Sequence, residues 1–204
     1  MSRAFVLLLG MVAVGAVVLT VLAQSQEGKT LTQSEMKRQF ATLAEKSATL
    51  TAQHKLLAAL TGDFDQAVEV RPGPGQSMKS HCLSTGTSLM GGLFVKIESR
   101  SAPDEELKGE RLTIYGYDTV AGKFTVWSID SGSTFAASAA GDYDPSTKTF
   151  TLEGERYGRG SDKVPYHWVV RLEDGRAFTQ EIQMKPPTGG QYVSVVVVKN
   201  TLRK

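Results

Sequence analysis

The sequence predicts a mostly β protein, one antiparallel up-and-down barrel of about ten strands preceded by an N-terminal helix. Two observations carry that expectation. After Gly62 the apolar period changes from helical to two, and turn residues then recur roughly every 8–12 positions to the end of the chain. Many short strands joined by hairpins favour closure, because a closed barrel has no exposed sheet edge.

The elements follow in order. Behind Arg3, the stretch from Ala4 to Val21 is almost wholly apolar, and Val21, Leu22 and Ala23 then give way to Gln24, Ser25, Gln26 and Glu27. A charged start, an apolar stretch and a Val-x-Ala site read as a secretory signal peptide over residues 1–23, cleaved after Ala23. The run is also about long enough to span a bilayer, so an uncleaved anchor is the rival reading. Both place the rest of the chain outside the cytoplasm, periplasmic or secreted, and cleavage leaves no stable membrane insertion. The remainder divides into a partly helical segment, residues 24–50, and a barrel domain, residues 51–204.

Thr32 and Glu35 fit a capping box that opens a helix with Met36, Phe40, Leu43 and Leu50 as its apolar positions. A second helical pattern, Leu56, Leu57 and Leu60, ends at Gly62. Thr51 caps this second piece, or residues 32–60 form one long helix; both remain open. The stripe of Met36, Phe40 and Leu43 suits packing on the barrel or on a protein partner. Strands are expected near 63–70, 79–89, 92–100, 110–117, 122–130, 133–140, 147–154, 165–173, 176–185 and 191–199. Gly91-Gly92, Asp144-Pro145-Ser146, Asp174-Gly175 and Gly189-Gly190 supply the reversals between them.

Composition excludes some function classes. Lys and Arg total 23 against 21 Asp and Glu, with no basic cluster, so a nucleic-acid partner is not expected. Cys82 is the single cysteine, which rules out an intramolecular disulfide and suits a small buried hydrophobe. His54, His81 and His167 match no metal-site spacing, and neither a metal nor another cofactor is implied, although a histidine can hold haem iron inside some barrels. No catalytic residue emerges from a nucleophile motif: there is no Gly-x-Ser-x-Gly elbow, and Gly158-Arg159-Gly160 reads as a hairpin loop. Asp142 and Asp144 resemble the start of a calcium loop, but Pro145 and Lys148 stand where ligands would follow, so a turn is the better reading.

Five pieces occur in a telling order. They are Gln53-His54-Lys55-Leu56-Leu57-Ala58-Ala59-Leu60-Thr61-Gly62-Asp63-Phe64, Met90-Gly91-Gly92-Leu93-Phe94, Gly116-Tyr117-Asp118, Asp130-Ser131 and Gly141-Asp142-Tyr143-Asp144. Together they resemble a bacterial family, domain of unknown function fifteen seventy-nine, over about residues 52–204. The resemblance implies a lipocalin-like fold, in agreement with the strand count, and brings no reaction or ligand. The family places a tryptophan two residues before the aspartate that matches Asp130. Here Ser128 stands there, with Trp127 beside it on the other face of the strand, so the resemblance implies a pocket altered at that point.

The hairpin from Arg111 to Asp130 holds most of the candidate site. A loop of Asp118 to Gly122 would pair Tyr117 with Lys123 and put Leu112, Ile114, Gly116, Phe124, Val126, Ser128 and Asp130 on the inner face. Arg111, Thr113, Tyr115 and Tyr117 would then face out; a four-residue loop would shift the pairing by one. Ligand contacts are expected at Ile114, Phe124, Val126, Ser128 and Asp130, with His167 on a later strand. Asp130 is either a ligand-orienting group or a strand-end residue bonding turn amides.

Three functions compete. A binding module would hold one small, mainly apolar ligand in the barrel. An interaction protein would have a filled barrel and dock a protein partner through the helix around Met36 and Phe40. An enzyme would need Asp130 or Glu181 within reach of Arg111 or His167.

Overall fold

The computed structural model describes residues 32–47, 49–157, 163–186 and 189–203, with 43–47 as backbone alone. The expected signal segment, residues 1–23, and the expected hairpin loop at Gly158-Arg159-Gly160 lie outside the described residues, as does the side chain of Leu43. The chain forms two compact units that divide between Thr49 and Leu50. Among the described residues no helix is long and apolar enough to cross a membrane.

The first unit holds helix α1 (Gln33–Ser47). Its capping box is formed as the sequence suggests: Glu35 N–H donates to Thr32 Oγ1 at 3.3 Å, and Thr32 N–H to Glu35 Oε2 at 2.7 Å. The second unit opens with helix α2 (Ala52–Leu57) and a 3-10 turn, Ala58–Leu60. Helical structure is therefore in two pieces, and Thr51 starts the second. His54 Nδ1 accepts the Thr51 N–H at 3.1 Å, so this buried histidine caps its own helix.

Ten strands follow: β1 (Gly62–Val70), β2 (Met78–Leu89), β3 (Phe94–Ser101), β4 (Glu110–Asp118), β5 (Lys123–Asp130), β6 (Ala137–Asp144), β7 (Thr149–Tyr157), β8 (Lys163–Leu172), β9 (Phe178–Met184) and β10 (Val193–Leu202). Each pairs antiparallel with the next, and β10 closes on β1 to complete the barrel. Nine strands lie within a few residues of their expected spans. The exception is β6, which starts four residues later than the expected 133–140. Residues 131–136 are held as a loop, with Ser131 N–H on the Glu110 carbonyl and Ser133 Oγ on the Phe135 carbonyl. The later frame also sets the Tyr143 ring inside against Phe150.

One end of the barrel is packed shut. Leu57 of α2 and Leu60 of the turn after it are fully buried, with the Phe64 and Phe178 rings 5.0 Å apart and the Phe124 and Phe150 rings 4.8 Å apart. The close approach needs Gly86, because a Cβ there would run into the Leu60 carbonyl oxygen.

The β4–β5 register differs from the expected one. Asp118 pairs with Lys123 and Tyr117 with Phe124, leaving a four-residue turn, 119–122. Asp118 stays in the ladder because its Oδ1 accepts the Val120 and Ala121 N–H groups at 2.8 and 3.0 Å, while Gly122 takes the left-handed conformation (φ +66°). The inner face of β5 is as expected: Phe124, Val126, Ser128 and Asp130. On β4 the faces are exchanged, so that Arg111, Thr113, Tyr115 and Tyr117 point in. Ile114 is on the outer face, with Phe94 and Trp127 around it.

Candidate functional site

The longer connections, 71–77, 102–109 and 131–136, gather at the other end, and there the interior is hollow. A cavity of about 270 Å³ is lined by Gln66, Val68, Cys82, Ile97, Thr113 and Gln180, with Arg111 and Asp130 at its lip. Small side chains make the room: Ser99 and Ser101 of β3 also face it.

Below the cavity lies a buried polar knot. Tyr115 Oη accepts the Trp168 indole N–H at 2.9 Å and the Gln180 amide at 2.6 Å. Burial pushes the Tyr115 phenol well above the usual tyrosine range, and these two hydrogen bonds offset only part of that. On the neighbouring strands β10 and β1, Gln66 Nε2 donates to Asn200 Oδ1 at 2.8 Å, and Asn200 Nδ2 donates to the Phe178 and Val198 carbonyls. Burial likewise raises the Cys82 thiol above its ordinary value, which keeps it protonated and weakly nucleophilic.

A second, smaller lobe of about 40 Å³ shares Arg111 and Asp130 with the first and is bordered by Ser128, Arg156, Tyr166 and Trp168. Arg111 Nη2 is 4.0 Å from Asp130 Oδ2, and Asp130 Oδ1 accepts the Gly132 N–H at 3.0 Å. Asp130 thus serves its own turn and faces a cation at once. Ser128 Oγ is held in the wall by Thr113 Oγ1 at 3.0 Å and the Leu112 carbonyl at 3.2 Å.

Of the residues expected to touch a ligand, Ser128 and Asp130 border the hollow end. Phe124 and Val126 point inward but sit in the packed half. Ile114 is outside, by the one-residue register shift. His167 is also outside: alternation along β8 sends Tyr166 and Trp168 in, and the imidazole stacks on Tyr192 with ring centroids 3.7 Å apart. Its Nε2 lies 3.8 Å from Glu153 Oε1. Glu181 faces outward from β9. Burial raises its carboxyl, but hydrogen bonds from Ser194 and Gln183 with the Arg171 and Arg71 charges outweigh that and hold it below the usual range. None of the three histidines lines the cavity, His81 being exposed beside Asp65.

Sequence reasoning named Arg111 but turned it outward, and it missed Arg156, Tyr166 and the buried amides. A signal for the amides exists: Gln66, Gln180 and Asn200 each take an inward position between apolar residues of the same strand.

These features define a closed ten-stranded antiparallel barrel, packed at one end behind a short helix and hollow at the other. The chain belongs to the family described as Protein of unknown function (DUF1579), which matches residues 49–201. Among solved structures it is similar to the crystal structure of Rv2717c from M. tuberculosis, at 11% identity and a TM-score of 0.54, over 76% of this chain and 100% of that one. That likeness is one of fold. No curated protein matches the chain.

Proposed function

We propose that this protein is an exported binding barrel that holds one small ligand in its open end. The observation that carries the reading is the division of the interior, solid around Phe64, Phe124, Phe150 and Phe178 and hollow around Gln66, Ile97 and Arg111. About 270 Å³ is just below the roughly 300–1,000 Å³ typical of ligand sites, so the ligand is small. Val68, Ile97 and Val198 offer it an apolar wall, and the amides and Arg111 fix its orientation. Export rests on the signal pattern of residues 1–23. The hollow end weighs against a filled barrel acting only as a scaffold; docking of a protein through Met36 and Phe40 of α1 is a separate property and stays as the alternative.

The test is native mass spectrometry on protein taken from its own exported compartment, with a denatured control. A discrete extra mass in the native spectrum alone supports the binding barrel, and a polypeptide starting at Gln24 supports export with cleavage. A bare mass that no small molecule shifts would refute the binding role.

A further inference from the structure

We infer that the small lobe is a carboxylate-holding subsite, so that the ligand of this barrel is a small organic acid with its head between Arg111, Arg156 and Tyr166 and its body in the larger lobe. The inference rests on the binding-barrel reading and names the ligand class.

Unmet hydrogen-bonding groups point to it. Tyr166 is 1% exposed, yet among the described residues its hydroxyl has no hydrogen-bond partner, and neither has the buried Nε of Arg156. Both residues border the same lobe. Buried donors are rarely left unmade, so two of them at one void mark a place where an acceptor belongs. Arg111 is under-used as well: its contact with Asp130 is 4.0 Å, beyond hydrogen-bond reach.

Charge favours an anion there. Arg156 makes no ion pair among the described residues, its guanidinium lying 5.8 Å over the Phe135 ring. Two guanidinium groups therefore face one carboxylate, Asp130, whose other oxygen is committed to Gly132. The nearby Lys108 is engaged on the Ala102 and Pro103 carbonyls. The lobe, of about 40 Å³, takes a small head group and not the body of a ligand. A planar carboxylate also matches the two-pronged donor geometry of arginine. Asp130 is the unfavourable neighbour, and it would repel the ligand head while holding Arg111 near it.

The experiment is titration calorimetry with octanoate and 1-octanol, which share a chain and differ in the head group. Octanoate is expected to bind about tenfold or more tighter than 1-octanol. Tyr166→Phe should weaken octanoate by roughly tenfold and leave 1-octanol unchanged, since only a hydrogen bond to a charged group is lost. Asp130→Asn should strengthen octanoate. Arg156→Met is the second variant, should Tyr166→Phe not fold as judged by its urea midpoint. Equal affinity for the two probes, or a preference for octanoate that survives both the Tyr166 and Arg156 variants, overturns the carboxylate subsite and leaves the binding barrel standing. Binding of neither probe overturns both.

Discussion

Replacing Tyr115 by Phe removes one oxygen and is expected to destabilise the barrel by about 2–4 kcal/mol. That oxygen is the acceptor for two buried donors, the Trp168 indole N–H at 2.9 Å and the Gln180 amide at 2.6 Å. A buried donor left unpaired costs about 1–3 kcal/mol. Among the described residues the indole N–H makes no other hydrogen bond, so its share belongs at the upper end. Gln180 borders the cavity and can turn towards it, which lowers its share. Urea unfolding measures the total, with an unchanged m-value as the sign that the same surface is exposed. Alkaline pH supplies a second readout. In the unfolded chain the phenol ionises near pH 10, whereas burial keeps it neutral in the native barrel well beyond that. Above about pH 10 the unfolded state therefore binds fewer protons than the native state, and stability falls as pH rises, by up to about 1.4 kcal/mol per pH unit from this group. Phe has no such titration, so the gap between wild type and variant should narrow through that window. A difference below about 0.5 kcal/mol at neutral pH, or a gap that stays constant as pH rises, would refute the reasoning about the buried knot.

The other predictions concern the plug and the cavity. Gly86→Ala forces a Cβ into the Leu60 carbonyl and should cost about 1–3 kcal/mol or more, read as a lower thermal midpoint with the barrel circular dichroism kept. Ser99→Leu fills the hollow end; stability should stay within about 1.5 kcal/mol while native mass spectra lose any retained ligand. Ile114→Thr, on the outer face, should leave ligand retention intact, which separates the observed β4 register from the one expected from sequence. Cys82 should react with N-ethylmaleimide more slowly in the native protein than in urea at pH 8, because burial keeps the thiol protonated.

The barrel was legible in sequence because period-two alternation and turn chemistry are local. Asp144-Pro145-Ser146 is a case in point: Asp144 accepts the Ser146 N–H and hydroxyl, just as an Asx turn should. The β4–β5 faces were harder, since a turn of four or five residues decides them and Asp118 suits both. Reading Asp118 as a ladder residue that caps its own turn would have brought Arg111 inside. Arg156 and Tyr166 were out of reach for another reason. They come from β7 and β8, far along the chain from Arg111, and only barrel closure brings them to one lobe. The β6 frame was missed because Ala136 to Ala140 are too alike in size for alternation to speak.

The hollow end is written as a gradient of side-chain size along the inward positions. On β3 these run Val95, Ile97, Ser99, Ser101, and on β5 Phe124, Val126, Ser128, Asp130, in both cases from the plugged end to the mouth. On β6 the same direction gives Tyr143, Gly141, Ala139, Ala137. Eight strands close on an interior that side chains just fill, so ten enclose more volume than average residues occupy. Aromatic rings take up that excess at one end. Serines and alanines decline to at the other, where Gln66, Gln180 and Asn200 form the boundary. Amides at that level carry a desolvation cost that valine or leucine would avoid, and they are tolerable only because each finds a partner. Rings below, amides at the boundary and unmet arginine and tyrosine donors above form one polarity gradient pointing out of the mouth. A ligand that follows it has its less polar part deep and its charge at the lip, the orientation in which Arg111 and Arg156 meet it first.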